Sequence, residues 1–183
     1  RSLGLQLIHF LYIVHLLESS NHLHLKILSP PAPASTLRSN SCACRSPKPG
    51  EVSLIPAAIR AALAGEDFPI TRGEQRRDFI FVGDVVEGFL AAAAAPDVDG
   101  ESLDLGTGQA YAVREVVERI WAMAKATGRI RAGALPYRPG EVMYLAADAD
   151  RTARLTGWRA EIGLDEGLRQ TIEWIRGKPN PAT

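Results

Sequence analysis

From residue 51 onwards, short segments rich in β-branched and aromatic residues alternate with segments of helical periodicity, and this alternation constrains the fold most strongly. The clearest helical stripe places apolar residues at offsets 0, 3, 4, 7, 8 and 11, namely Val113, Val116, Val117, Ile120, Trp121 and Ala124. Strands that alternate with amphipathic helices predict an α/β fold. The 183 residues contain too few such strands to close a doubly wound sheet alone.

The same patterns set the order of the elements. After a helix that begins near Ile55, we expect a hairpin whose strands lie at 68–71 and 78–82. Asp84 is then expected to cap a helix over 84–95, with Glu87 completing a capping box. The remaining predicted elements are a strand at 102–105, a helix at 113–127, a strand at 130–135, a short helix capped by Asp148 or Asp150 that ends at Gly157, and a final helix from Leu164.

The chain changes character near residue 47. All four histidines and both cysteines precede this point, and the first 50 residues carry five basic residues and one acid, a net charge of about +4. The remainder carries 16 basic and 20 acidic residues, a net charge of about −4. Such asymmetry indicates two pieces of different origin or role. We therefore divide the chain into a segment 1–46, a main domain 47–177 and a polar tail 178–183.

The first segment contains an apolar run followed by a linker-like stretch. Residues 3–17 are almost continuously apolar, which favours a buried helix or strand. A membrane or export segment is the alternative, although the run is shorter than the roughly 18 to 20 residues of a transmembrane helix. Residues 29–50 are rich in Ser and Pro, which is typical of a linker or of disorder. Cys42 and Cys44 predict neither a disulfide framework nor a zinc site.

The balance of charge excludes one broad class of function. The chain has 21 basic and 21 acidic residues, whereas a protein that neutralises nucleic-acid phosphates needs a clear excess of Lys and Arg. The sequence therefore predicts no nucleic-acid partner. It also predicts no metal site and no membrane partner, and we expect a cytoplasmic location.

Five segments, taken in order, carry a specific resemblance. They are SLIPAAIRAALAG at 53–65, GEQRRDFIFVGDVVEGFLAA at 73–92, LDLGTGQAYAVREVVERI at 103–120, RPGEVMYLAAD at 138–148 and LTGWRAEIGLDEGLRQTIEW at 155–174. Their order and spacing resemble the C-terminal half of the NAD-dependent epimerase/dehydratase family, the extended short-chain dehydrogenases that act on nucleotide sugars. The resemblance covers residues 47–176 and leaves residues 1–46 outside.

The resemblance implies a fold, a cofactor and a substrate class. The family combines a Rossmann domain that holds NAD or NADP with a smaller C-terminal lobe that holds the nucleotide sugar, and its members are often homodimers. By resemblance, this chain is an incomplete Rossmann-like (NAD(P)-binding) α/β fold plus the smaller substrate-binding lobe. The implied partner is a nucleotide-sugar substrate, and the implied reaction is that of an epimerase, dehydratase or ketoreductase, within the isomerase, lyase and oxidoreductase classes.

Two catalytic features of the family are missing from the sequence. A Gly-rich turn with three glycines, which would bring backbone amides to the NAD pyrophosphate, does not occur. Each of the four tyrosines is followed four residues later by a residue other than Lys, so the Tyr-x-x-x-Lys pair is also absent. We therefore expect a truncated family member in which this chain itself binds no NAD or NADP and supplies no catalytic residue. The alternative is a catalytically inactive remnant that serves as a sugar-nucleotide-binding or interaction module.

The substrate-binding half of the pattern is better represented. By resemblance, Arg77 and Arg138 match two arginines that reach the nucleotide diphosphate, and Glu141 matches an acid near the ribose that accepts from sugar hydroxyls. The competing interpretation makes both arginines members of surface ion pairs, Arg77 with Asp78 or Asp84 and Arg138 with Glu141. Ala112 lies where a Ser or Thr usually caps the next helix, and this should weaken that helix by roughly 1 kcal/mol.

Overall fold

The structure of the protein is a computed structural model that describes residues 23–26, 53–96, 98 and 101–177. For residues 23–26 it describes the backbone alone. The predictions for the apolar run at 3–17, for the linker at 29–50, for Cys42 and Cys44 and for the tail at 178–183 lie outside these residues. Within the described part of the chain, no helix is long and apolar enough to cross a membrane.

The described residues form seven short strands and five helices. The strands are β1 (Leu23–Lys26), β2 (Phe68–Ile70), β3 (Arg76–Asp78), β4 (Ser102–Leu105), β5 (Ala110–Ala112), β6 (Ile130–Ala132) and β7 (Tyr144–Leu145). The helices are α1 (Leu54–Ala64), α2 (Val82–Ala94), α3 (Val113–Ala124), α4 (Ala149–Thr156) and α5 (Leu164–Arg176). The α/β fold class predicted from the sequence is therefore confirmed.

The strands pair in three small sheets, and the predicted hairpin is wrong. β2 pairs in parallel with β6, while β3 is the middle strand of a sheet in which β5 is antiparallel and β7 is parallel. Local alternation of residue types suggested that the two neighbouring strands pair with each other. Each of them instead pairs with strands that lie at least 30 residues later in the chain, which short-range patterns do not report.

One helix start differs from the capping predictions and another agrees with them. Helix α2 begins at Val82, so Asp84 lies inside its first turn, where it is buried and accepts from the backbone amide of Ile162 at 2.9 Å. Asp84 therefore joins α2 to the segment before α5 and does not cap a helix. The prediction for α4 is confirmed, since Asp148 accepts from the amide of Arg151.

Helix α3 begins at Val113 behind Ala112, which makes no side-chain cap, as predicted. Two backbone carbonyls replace the missing cap, because the amides of Val113 and Arg114 donate to Gln75 and Gly73 at 3.0 and 2.9 Å. Gly73 has a positive φ of 74°, and a Cβ there would lie 2.6 Å from the Cβ of Arg114. The loop before β3 thus takes over the role of the capping side chain and offsets the expected weakness.

The main core lies where α1, α3 and α5 pack together over β2. The predicted stripe on α3 faces this core: its first four residues are buried, and Trp121 and Ala124 are partly buried. The fully or nearly fully buried residues of this main core are Ala58, Ile59, Ala62, Ile70, Val116, Val117, Ile120, Leu168 and Ile172. A second, smaller cluster joins α2 to β4 through Val85 and Leu105, with Ile80, Phe89 and Trp158 packed against it.

Strand β4 is covered on both edges. On one edge it pairs with β1 in an antiparallel register that places Leu23 opposite Leu105. On the other edge α4 supplies side chains, because the buried hydroxyl of Thr152 accepts from the amide of Asp104 and donates to its carbonyl at 3.1 and 2.8 Å. Arg151 also donates to the carbonyl of Ser102. One helix therefore satisfies the backbone groups that a further strand would otherwise pair.

Candidate functional site

Arg77 lies at the centre of the three-stranded sheet, because β3 runs between β5 and β7. Its register partners are Tyr111 on β5 and Leu145 on β7. Successive residues of a strand point to opposite faces, so Arg76 is exposed while Arg77 is only 5% exposed. A buried guanidinium is costly unless acceptors surround it, and its presence here marks a position where the fold maintains a positive charge.

Two acceptors engage the Arg77 guanidinium. Nη2 donates to Oε1 of Glu141 at 2.5 Å, and Nη1 donates to the carbonyl of Arg76 at 2.9 Å. The Glu141 side chain is 21% exposed, so this ion pair is screened much less than the other ion pairs described on the surface. This ion pair differs from the one that the competing interpretation named, since Arg77 pairs with Glu141 and with neither Asp78 nor Asp84.

A tight turn brings Arg138 close to this ion pair. The amide of Glu141 donates to the carbonyl of Arg138 at 3.0 Å, and Gly140 has a φ of +76°. Pro at the second position and a left-handed Gly at the third are the signature of a type II β-turn. Arg138 and Glu141 are therefore the two ends of one turn, with the Arg138 side chain exposed. The structure brings all three predicted residues together, while their roles toward a ligand stay predictions.

The segment that carries the turn is anchored at both ends. On one side, the hydroxyl of Tyr137 accepts from the amide of Glu74, and the amide of Leu135 donates to the carbonyl of Ile70. On the other side, the amide of Arg76 donates to the carbonyl of Met143 at 2.8 Å. The backbone around the turn is thus tied to the sheet, which fixes the distance between Arg138 and β3.

Asp78, the last residue of β3, is a buried acceptor that the sequence analysis did not recognise. Its Oδ1 accepts from the amide and the hydroxyl of Thr107 at 3.0 and 2.6 Å. Its Oδ2 accepts from the amides of Gly108 and Ala147 at 2.8 and 3.2 Å. A Cβ on Gly106 would lie 2.6 Å from Oδ2, so the glycine permits this close approach. Asp78 therefore holds three segments together beneath the site.

Apolar side chains border the turn. Val142, Met143 and Tyr144 are 54%, 44% and 61% exposed, which is high for large apolar residues in consecutive positions. Tyr144 is the register partner of the exposed Arg76, so its side chain lies on the face of the sheet opposite to Arg77, whereas Val142 and Met143 directly follow Glu141 in the chain. Within the described part of the chain, no group of three His, Cys, Asp or Glu side chains lies close enough to bind a metal ion.

The fold defines a class, the Rossmann-like α/β proteins. A family model described as GDP-mannose 4,6 dehydratase matches residues 33–171, and the chain belongs to the NAD-dependent epimerase/dehydratase family. The match begins before residue 47, and the division of the chain at that residue stays a prediction.

Several curated relatives support this assignment. The UDP-glucose 4-epimerase of Bifidobacterium longum is 34% identical over 63% of this chain and 34% of its own length. The CDP-abequose synthase of Salmonella muenchen is 31% identical over 65% of this chain and 41% of its own length. The chain thus spans about a third to two fifths of the length of the curated relatives it matches.

Solved structures agree with this family assignment. The UDP-glucose 4-epimerase of Thermotoga maritima, solved with UDP-glucose, is 28% identical with a TM-score of 0.64 over 69% of this chain and 40% of that one. MoeE5, solved with UDP-glucuronic acid and NAD, is 36% identical with a TM-score of 0.61 over 67% of this chain and 40% of that one. These neighbours confirm the Rossmann-like fold class.

Within the described part of the chain, the one Gly-x-Gly turn does not fit the family's dinucleotide cofactor. The single Gly-x-Gly of the sequence, Gly106-Thr107-Gly108, directs two of its amides at the Asp78 carboxylate. Those amides are therefore occupied by an internal anion and are not available to a pyrophosphate. The turn ends β4, as its late position in the chain predicted, and we assign it a structural role.

Proposed function

We propose that this chain binds a nucleotide sugar through its diphosphate, with Arg77 and Arg138 as the anion-binding residues and Glu141 as an acceptor for sugar hydroxyls. The observation that carries the proposal is the buried Arg77 guanidinium, held within one β-turn of a second arginine. Two guanidinium groups that converge on a diphosphate make charge-assisted and often bidentate hydrogen bonds.

The chemistry of the surrounding surface supports the same ligand class. The exposed apolar residues Val142 and Met143, which directly follow Glu141, offer a surface for a base. Since several relatives are UDP-glucose 4-epimerases, we take UDP as the first ligand to test. Leu145 lies opposite Arg77, where some members of the family carry an aromatic nucleotide contact, so the choice of base stays open.

We further propose that this chain binds its ligand without turning it over. Proton transfer in the family requires the Tyr-x-x-x-Lys pair, which this sequence lacks, and hydride transfer requires NAD or NADP, for which the Gly-x-Gly turn provides no free cradle. These features therefore favour a binding module over an epimerase or dehydratase. Homodimeric assembly and a cytoplasmic location stay predictions.

Isothermal titration with UDP tests the arginine pair. We expect Arg77→Ala and Arg138→Ala each to weaken UDP binding on the order of 10- to 100-fold, because each removes a hydrogen bond to a charged group. Arg138→Lys should restore part of the affinity, since a point charge does not reproduce the planar fork. NAD, titrated in parallel, should show no binding in the micromolar range.

The matched control is Arg169→Ala, which removes a half-exposed arginine from ion pairs on α5, away from the turn. This variant should bind UDP as the parent does. Unchanged UDP affinity in both Arg77→Ala and Arg138→Ala would show that the two residues serve surface or structural ion pairs alone. Micromolar NAD binding would contradict the assignment of the Gly-x-Gly turn.

A further inference from the structure

We propose that Glu141 is an internal substitute for the ligand's phosphate, which neutralises Arg77 in the unliganded protein and must leave before an anion binds. This inference rests on the proposed function and concerns the regulation of the same site. Its basis is the 2.5 Å contact between the Glu141 carboxylate and Nη2, the atom through which Arg77 would contact a diphosphate.

The two acceptors of Arg77 differ in how easily they are exchanged. The carbonyl of Arg76 belongs to β3 itself, so it stays in place as long as the strand does. The Glu141 carboxylate belongs to a surface turn whose neighbours Gly140 and Val142 are exposed. Release of the Glu141 carboxylate exposes little buried apolar area. A ligand therefore replaces the acceptor of Nη2 alone, while the carbonyl of Arg76 keeps its bond to Nη1.

The movement is also confined to a side chain. The amide of Glu141 is held by the carbonyl of Arg138, and the carbonyl of Met143 is held by the amide of Arg76. Because the backbone is fixed on both sides, rotation of the Glu141 side chain is the motion that frees Arg77. The turn keeps its shape, and Arg138 keeps its position relative to β3.

The exchange imposes a requirement on the ligand. A diphosphate that takes the place of the carboxylate leaves Glu141 negatively charged and without its guanidinium partner, next to a new anion. A ligand that also carries hydroxyl groups gives the carboxylate new hydrogen-bond donors, whereas inorganic pyrophosphate gives it none. The site therefore discriminates against a bare anion and favours one attached to a sugar or ribose.

The size of the effect follows from competition. If the carboxylate holds Arg77 for all but about a tenth of the time, the apparent affinity for pyrophosphate is about tenfold below its intrinsic value. Glu141→Gln removes the competing charge and keeps the side-chain volume. We expect this variant to bind pyrophosphate about tenfold more tightly, and to gain less for UDP because it also loses the acceptor for ribose hydroxyls.

Titrations with pyrophosphate and with UDP test whether Glu141 competes for Arg77. They compare the parent chain with Glu141→Gln, Arg77→Ala and the double variant. The matched control is Glu118→Gln, which breaks an exposed glutamate–arginine pair on α3 and should change neither affinity. The gain in Glu141→Gln should vanish when Arg77→Ala is added. If Glu141→Gln binds pyrophosphate no more tightly than the parent chain while Arg77→Ala still weakens UDP binding, Glu141 is not a substitute for the phosphate. The proposed function of the arginine pair is unaffected by that result.

Two further outcomes complete the test. If Arg77→Ala weakens the binding of neither ligand, the proposed function is wrong, and so is the proposal that Glu141 substitutes for the phosphate. A measurement on the unaltered chain covers the case in which Glu141→Gln does not fold. The carboxyl carbon resonance of Glu141 should shift during a pyrophosphate titration in proportion to the bound fraction, and a resonance that stays in place at saturation overturns the proposal.

Discussion

Replacement of Asp78 by Asn should be among the most destabilising single-atom changes available in this protein. Each carboxylate oxygen accepts two hydrogen bonds, Oδ1 from Thr107 and Oδ2 from Gly108 and Ala147. Asn keeps one oxygen and exchanges the other for an NH₂ group, which donates and does not accept. With the NH₂ group at the Oδ2 position, the bonds from the amides of Gly108 and Ala147 are both lost and a donor faces two donors. With the NH₂ group at the Oδ1 position, the bond from the Thr107 amide is lost, whereas the Thr107 hydroxyl can turn to accept and donate to the carbonyl of Gln109 instead.

The magnitude follows from the charge and burial of the group. A hydrogen bond to a charged acceptor is worth roughly 1.5 to 3 kcal/mol, so the loss of one or two such bonds predicts a loss of roughly 1.5 to 6 kcal/mol in the free energy of unfolding. That is a large part of the roughly 5 to 15 kcal/mol that stabilises a typical domain. At about 2 to 4 °C per kcal/mol, the midpoint of thermal unfolding should fall on the order of 10 °C.

Urea unfolding followed by circular dichroism measures this loss directly. The control is Asp67→Asn, because Asp67 also accepts from a backbone amide, that of Arg129, and from the guanidinium of Arg131, but is exposed to water. There the solvent replaces the lost bonds, and the midpoint should move little. A free energy of unfolding for Asp78→Asn within 1 kcal/mol of the parent would refute the account of Asp78 as the central acceptor.

Two other perturbations test features on either side of the molecule. Thr152→Val removes the hydroxyl that bonds both the amide and the carbonyl of Asp104, so it should lower the free energy of unfolding in urea by roughly 1 to 3 kcal/mol. Thr152→Ser keeps the hydroxyl and should cost less. Equal losses in the two variants would contradict the role of Thr152 at the edge of β4. On α5, hydrogen bonds from Arg169 lower the pKa of Glu166 from 4.5 to about 2, so the stabilisation by this ion pair is present above pH 4.5 and is lost as the pH falls towards 2. Arg169→Ala should return the pKa of Glu166, measured by NMR, towards 4.5. An unchanged pKa would show that Arg169 does not cause the shift.

Local patterns predicted the helices better than the pairing of strands. The periodicity of α3 reports a single buried stripe, and the structure places Val116, Val117 and Ile120 in the main core as that stripe requires. Strand pairing depends on contacts between distant segments, so nothing within 68–82 could reveal that β2 pairs with β6. The three-residue strand β5 and the two-residue strand β7 are too short to carry a recognisable alternation.

The residues of the candidate site were indicated by the sequence, but the contacts between them were not. Resemblance indicated Arg77, Arg138 and Glu141, and the structure brings them together through a turn whose Pro139-Gly140 sequence is itself readable. The pairing of Arg77 with Glu141 depends on the parallel contact between β3 and β7, which sequence patterns do not contain. Asp78 was missed because its four donors come from two distant segments, although the backbone amides of the glycine-rich turn at 106–108 require an acceptor somewhere.

The way in which α3 begins has a consequence for which sequence changes this protein tolerates. Because the carbonyls of Gly73 and Gln75 take the first amides of the helix, the identity of residue 112 is released from any capping requirement. What must be conserved instead is chain length, since one residue added or removed between 71 and 75 would move both carbonyls out of register with a helix that begins some 40 residues later. Substitution is thus permitted at the helix start, while insertion and deletion are restricted in a loop that looks, in the sequence, like an ordinary surface turn.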